Sequence, residues 1–113
     1  MKNVIITGAD GFVGSNTVEC FLNHGMSVLA IDRLEAPRKL RTCESFSYLA
    51  ADITDVERLK RQIPSGGYDT FINFAWAGSA GPERMDYNLQ MANAITTVEC
   101  MKAAKELGCT RFV

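Results

Sequence analysis

The sequence is poor in the residues from which many kinds of site are built. It has one histidine, His24, with no ligand-type residue three or four positions further on. Its four cysteines, Cys20, Cys43, Cys100 and Cys109, lie far apart with no C-x-x-C pair. Zinc-type sites need clustered donors of these kinds, so no metal centre is expected and the thiols read as reduced and partly buried. An excess of one charge is also lacking: the net charge is −1, and the only basic grouping is Arg38, Lys39 and Arg41. That excludes a chain built to neutralise a nucleic-acid backbone. No apolar run approaches the roughly 18 residues that span a bilayer, and Met1-Lys2-Asn3 leads into a strand-like run without a secretory h-region or cleavage site. A cytoplasmic protein with no membrane partner is the expectation. Repeats, linkers and low-complexity tracts are missing too.

What is present is 113 residues, 47% of them hydrophobic and 22% charged, the proportions of an ordinary globular domain. This is one domain at most, long enough to bury a core but small for an enzyme that must hold both a cofactor and a substrate.

Val4-Ile5-Ile6-Thr7 is a β-branched run that predicts a strand, followed by a glycine-rich turn and by Val13, Val18, Phe21 and Leu22 at helical spacing, with Gly25 as a stop. Residues 27–31 form a second strand ending at Asp32, which closes a βαβ unit. The charged stretch 33–45 reads as a surface connection. Residues 46–50 are a third strand, and Thr54 is placed to cap a helix over 55–62 that stops before Pro64. A fourth strand is predicted over 69–75, a loop over 78–82, and a helix over 83–107 ended by Gly108. That helix carries two apolar stripes. One is Met91, Ala94, Ile95, Val98 and Met101; the other is Met85, Leu89, Ala92, Cys100, Ala103 and Leu107. One stripe can cover a sheet, while the other needs a second neighbour. Residues 111–113 open a fifth strand. Alternating strands and helices, with nearly continuous apolar strands, predict an α/β fold with a doubly wound parallel sheet of the Rossmann type. The right-handed crossover rule favours the order 3-2-1-4-5, cut short at the fifth strand.

The chemistry concentrates in the turn. Gly8, Gly11 and Gly14 follow a strand and open a helix, the context that makes this spacing a dinucleotide signal. Gly8 suits the tight turn, Gly11 lets backbone approach a pyrophosphate, and Gly14 permits close helix packing. Free N–H groups and the helix dipole then favour a phosphate. Asp32, 18 residues after Gly14, is placed to accept hydrogen bonds from adenosine ribose hydroxyls, which favours NAD. Arg33 beside it is able to pair with a 2′-phosphate instead, so NADP stays open. Asp52 is placed either to meet the adenine amino group, with Ile53 packed on the ring, or to cap a helix. Ala75-Trp76-Ala77-Gly78 follows the fourth strand at the carboxyl edge, where Trp76 either shields a cofactor or belongs to the core.

These residues resemble a family, the extended short-chain dehydrogenase/reductases, and within it the NAD-dependent epimerase/dehydratase group that modifies nucleotide sugars. Thr7-Gly8-Ala9-Asp10-Gly11-Phe12-Val13-Gly14 is similar to its T-G-x-x-G-[FY]-[IV]-G turn. Ala51-Asp52-Ile53 resembles its G-D-[IV] adenine site. Asn93-Ala94-Ile95-Thr96-Thr97, with Lys102-Ala103-Ala104 and Gly108, resembles N-V-x-G-T…E-A-A…G, and Arg111-Phe112-Val113 resembles the opening of its fifth strand. The resemblance implies cofactor contacts from Gly8, Asp10, Gly11, Phe12, Val13, Gly14, Asp32, Arg33, Asp52, Ile53, Phe74, Ala75, Trp76 and Asn93, to NAD or to NADP.

Asn73-Phe74-Ala75-Trp76 departs from the family's H-x-A-A, and N-F-A-W-x-G-S resembles a subset that includes nucleotide-sugar reductases. The family's proton-moving Tyr-x-x-x-Lys pair has no counterpart: Tyr48, Tyr68 and Tyr87 are followed four positions on by Asp52, Ile72 and Met91. The expectation is an incomplete N-terminal cofactor domain over 1–113, without its substrate domain and without catalytic residues, meeting a nucleotide sugar only in a full-length form. The alternative is a non-catalytic module that senses NAD(P)(H). The uncovered stripe and the fifth-strand edge predict a homodimer through one or the other.

Overall fold

Val4, Ile5, Ile6 and Thr7 are all fully buried in β1 (Asn3–Thr7), the middle strand of a five-stranded sheet. The computed structural model describes residues 1–40 and 46–113. Arg41, Cys43 and the rest of the connection over 41–45 lie outside the described residues. Five parallel strands form the order β3-β2-β1-β4-β5, as the crossover rule predicts. β2 is Ser27–Asp32, β3 Phe46–Ala50, β4 Thr70–Asn73 and β5 Arg111–Phe112.

Side chains alternate along each strand, and the two sets fill two cores. Ile5, Leu29, Ile31 and Phe71 point to one face, where Val56 and Leu59 of α2 (Val56–Gln62) and Cys100, Ala103 and Ala104 of α3 (Tyr87–Glu106) cover them. Val4, Ile6, Val28, Ala30 and Ile72 point to the other, against Val18 of α1 (Phe12–Asn23). The physical cause is handedness. Chain progress from β1 to β2 runs one way across the sheet, and from β3 through β4 to β5 the opposite way, so right-handed crossovers put α1 on one face and α2 and α3 on the other. Each fully buried aliphatic side chain, such as Ile5 or Leu59, contributes about 1.5–3 kcal/mol of transfer free energy.

Several boundaries depart from the sequence expectation. α2 is capped by Asp55, whose carboxylate accepts the Arg58 N–H at 3.1 Å, and not by Thr54. The Thr54 hydroxyl is already donated to Asp52 Oδ1 at 2.8 Å. The helix predicted over 83–107 is two pieces: a short 3-10 turn at Gly81–Met85, then α3, started afresh by Asp86, which accepts the Leu89 N–H at 3.1 Å. Met85 therefore leaves the covering stripe and is exposed, as is Ala92. Cys100 and Ala103 stay buried on the sheet, with Leu89 and Leu107 half-buried. Met91, Ala94, Ile95, Val98 and Met101 face solvent along α3.

β4 is shorter than the predicted 69–75. Just before its start, the Asp69 backbone still bonds to Asn3 and Arg111 on either side, while its carboxylate accepts the N–H groups of Lys2 at 2.7 Å and Asn3 at 2.9 Å. Of the thiols, Cys100 is buried and Cys109 half-buried, but Cys20 is exposed, contrary to expectation. Burial pushes the Cys100 thiol up to about 11, which leaves it un-ionised and inert.

Candidate functional site

The carboxyl ends of β1, β2 and β4 lie level, with Thr7 paired to Ile31 on one side and Asn73 on the other. The chain leaves β1 here and must turn back at once into α1. Gly8 makes that turn at φ +64°, a left-handed conformation that favours glycine. A methyl group on Gly8 would also lie 2.7 Å from the Ala75 nitrogen, so the turn is pressed against the exit of β4. On Gly14 a methyl would fall 2.1 Å from the Gly8 carbonyl oxygen. Gly11 differs: its nearest neighbour would be that same oxygen at 3.2 Å, with the rest of its approach open. Two glycines answer to the protein's own packing, and the middle one keeps a bare backbone face.

α1 begins directly after Gly11, and no side chain caps it. The first N–H groups of a helix have no partner within it, and the dipole adds partial positive charge. Phe12 and Val13, in this first turn, are exposed. An uncapped helix start beside an open glycine is a phosphate-binding arrangement.

A cleft of about 430 Å³ opens at this end, lined by Asp10, Gly11, Asp32, Arg33 and Leu34. A smaller depression of about 190 Å³ lies at the opposite edge, among Asn3, Ser27, Gly66 and Tyr68. Ligands of open α/β sheets bind at the carboxyl edge, which selects the larger cleft. The Asp32 carboxylate is held there by two backbone donors, Asp10 N–H at 2.9 Å and Arg33 N–H at 2.7 Å. The Asp10 side chain turns away to the backbone of Arg38, Lys39 and Leu40.

Asp52 is exposed and accepts both the backbone N–H and the hydroxyl of Thr54. Those two bonds, with the positive charge of Arg33, hold its carboxyl below the usual range against the opposing effect of burial. It caps a turn ahead of α2 and does not cap the helix. Ile53 packs against the core beneath α2.

At the β4 exit, Phe74 packs into the α1-side core and Ala75 N–H reaches Thr7 Oγ1 at 3.5 Å. Asn73 is occupied internally: its oxygen accepts the Thr7 hydroxyl and its amide donates to Thr97 Oγ1 at 3.2 Å. Asn93 grips the loop backbone from both ends, accepting Ala77 N–H at 3.0 Å and donating to Ala77 O at 2.8 Å. Trp76 is not core. The residue is 47% exposed, and its Nε1–H donates to Gln90 Oε1 at 2.6 Å. Gln90 also donates to the carbonyls of Gly78 and Glu83. Sequence reasoning missed Gln90, because a glutamine in the first turn of a helix carries no local signal of its partner.

The turn, Asp32, Arg33 and the β4 exit thus meet at one edge, with Asp52 at the end of the neighbouring β3. Asp10 and Asn93 serve through the loops they hold. Among the described residues, no group of three or more His, Cys, Asp or Glu side chains is gathered to hold a metal ion, and no helix is long and apolar enough to cross a membrane.

A model of the NAD-dependent epimerase/dehydratase family matches residues 4–113. A UDP-glucose 4-epimerase of Neisseria meningitidis is 35% identical over 88 residues, covering 72% of this chain and 26% of that protein. A 3-beta-hydroxysteroid dehydrogenase of Mycolicibacterium neoaurum is 29% identical over 118 residues, covering 100% of this chain and 31% of that protein. The crystal structure of the Bordetella bronchiseptica enzyme WbmG in complex with NAD superposes with a TM-score of 0.78 at 26% identity, over 97% of this chain and 36% of that one. The chain spans about a quarter to a third of the length of these proteins.

Proposed function

The chain belongs to the NAD-dependent epimerase/dehydratase family, and from that premise we propose that it is the cofactor-holding portion of an enzyme that modifies nucleotide sugars. Residues 1–113 are the N-terminal part of its NAD-binding domain and work in the cytoplasm. The uncapped start of α1 beside the bare face of Gly11, with Asp32 on the wall of the same cleft, is the observation that carries this reading. The pyrophosphate rests on the first-turn N–H groups, and Asp32 accepts from the adenosine ribose. The bound dinucleotide supplies hydride transfer; the residues here bind, orient and exclude water. NAD(H) is preferred over NADP(H), because the Asp32 carboxylate repels a 2′-phosphate. Arg33, the residue able to counter that repulsion, lies close enough to Asp52 to lower its carboxyl.

Nucleotide-sugar chemistry is supported by the likeness to a UDP-glucose 4-epimerase. The 113 residues hold no Tyr-x-x-x-Lys pair, so alone they turn over no substrate. The exposed face of α3, with Met91, Ile95, Val98 and Met101, supports a homodimer through that helix. The same face also fits the alternative of a dinucleotide-sensing module that docks on another protein. Calorimetric titration with NADH and with NADPH tests the reading: saturable heat with NADH is expected, and no heat with either at millimolar ligand would overturn it.

A further inference from the structure

Asp10 stands inside the glycine turn and is only 8% exposed, yet its carboxylate takes its hydrogen bonds from outside the turn. It reaches 28 to 30 residues along the chain instead. Oδ2 accepts the Arg38 N–H at 2.8 Å, and Oδ1 accepts those of Lys39 at 2.7 Å and Leu40 at 3.2 Å. Burial opposes its charge, but these three donors and the positive charge of Lys39 outweigh it and hold the carboxyl below its usual range. Bonds from a charged acceptor to backbone donors are the strong kind, and three on one carboxylate make a firm anchor.

The anchored segment leads back to the wall of the cleft. Residues 33–40 begin at Arg33 and Leu34, which line it beside Asp32. Their near end is tied separately, since the Tyr48 hydroxyl on β3 donates to the Leu34 carbonyl. The Asp10 N–H also donates to Asp32 Oδ2. One residue therefore orients the Asp32 carboxylate through its backbone and holds the far end of that segment through its side chain.

We propose that Asp10 is a positioning residue that folds segment 33–40 onto the glycine turn, preforming the adenosine end of the cleft for a dinucleotide whose ribose carries no 2′-phosphate. The inference rests on the dinucleotide reading above. With the segment pinned at both ends, Arg33 is kept beside Asp32 and Asp52, and Asp32 meets any added phosphate with like charge. Freeing the segment lets the basic side chains of Arg38 and Lys39 move. A 2′-phosphate is then tolerated better, while the plain ribose loses its preformed wall.

The test compares the unaltered chain with Asp10→Ala and Asp10→Asn in titrations with NADH and NADPH, alongside backbone hydrogen exchange at residues 38–40. In Asp10→Ala, NADH affinity is expected to fall about tenfold, a loss of about 1.4 kcal/mol, and NADPH affinity by less than about threefold, narrowing the ratio between them. Exchange at 38–40 should quicken. Asp10→Asn keeps an acceptor oxygen and should lie between, which covers the case in which the alanine variant folds poorly. Equal loss of both ligands with an unchanged ratio would make Asp10 merely structural and overturn the proposal, as would unchanged affinity. If the unaltered chain binds neither nucleotide, the dinucleotide reading itself fails, and the exchange rates then separate a purely structural anchor from none.

Discussion

Gly14 lies so close beneath Gly8 that a methyl group on it would be 2.1 Å from the Gly8 carbonyl oxygen, whereas the same group on Gly11 would lie 3.2 Å from that oxygen, a tight contact that a shift of a few tenths of an ångström relieves. The neighbour in both cases is backbone, which cannot swing aside as a side chain can. Gly14→Ala must therefore shift α1 or the turn. A loss of about 1–3 kcal/mol of stability is expected, the ordinary cost of overpacking, read as a lower denaturation midpoint. Gly11→Ala should cost less, about 1 kcal/mol or below, while weakening NADH binding at least about tenfold, because its methyl enters the space proposed for the pyrophosphate. If the two substitutions behaved alike in both measurements, the division of labour within the turn would be wrong.

Asp69 makes acid stability legible at the other edge of the sheet. The Thr70 hydroxyl bond comes first, then the Asn3 N–H, with burial opposing and the Lys2 N–H and the N-terminal charge adding, and together they lower its carboxyl to about 2. The unfolded chain binds this proton near pH 3.8, the ordinary value, and the folded chain only near 2. The stabilisation is thus complete above about pH 4 and disappears as pH falls through 2. Asp69→Asn should lower the melting temperature at pH 7, and the gap to the unaltered chain should close between pH 4 and 2. A gap that is constant over that range would show that the carboxylate charge contributes nothing.

The exposed face of α3 predicts self-association. Sedimentation velocity should show a concentration-dependent dimer, and Ile95→Glu, at a position that is 62% exposed, should abolish it with little change in melting temperature. A single monomer species over the whole accessible concentration range would count against the dimer.

Trp76 is the sole tryptophan, so fluorescence excited selectively in tryptophan reports on the loop after β4. Gln90→Leu removes the 2.6 Å acceptor of the indole N–H and should shift and broaden the emission as the ring is released. NADH added to the unaltered chain should quench that emission. Emission unaffected by saturating NADH would place the ring away from the ligand.

Much of this architecture was open to reading from one dimension. Val4-Ile5-Ile6-Thr7 is apolar or β-branched at every position because β1 is buried on both faces, and that burial follows from its central place in a parallel sheet. The glycine spacing was equally legible, since a strand that must turn into a helix within a few residues tolerates few alternatives. Thr54 and Asp55 show where such reading stops. Both are good capping residues at adjacent positions, and the choice fell to Asp55 because Asp52 had already engaged the Thr54 hydroxyl. The break between the 3-10 turn and α3 was hidden in the same way, as Asp86 looks like any helical acid until its side chain is seen capping Leu89.

The sequence by itself determined the order of the strands and the existence of the glycine turn, because both follow from local rules: side-chain periodicity, crossover handedness and the steric freedom of glycine. Only the tertiary structure decided which atoms those elements present to one another. Asp10 resembled a turn residue facing the ligand and proved to hold a segment 28 residues away; Asn93 proved to hold the backbone of Ala77, and Trp76 to rest on Gln90. A polar side chain takes the donor or acceptor that folding brings within about 3 Å, and that neighbour is chosen by the packing of whole elements, not by the residues beside it in the chain.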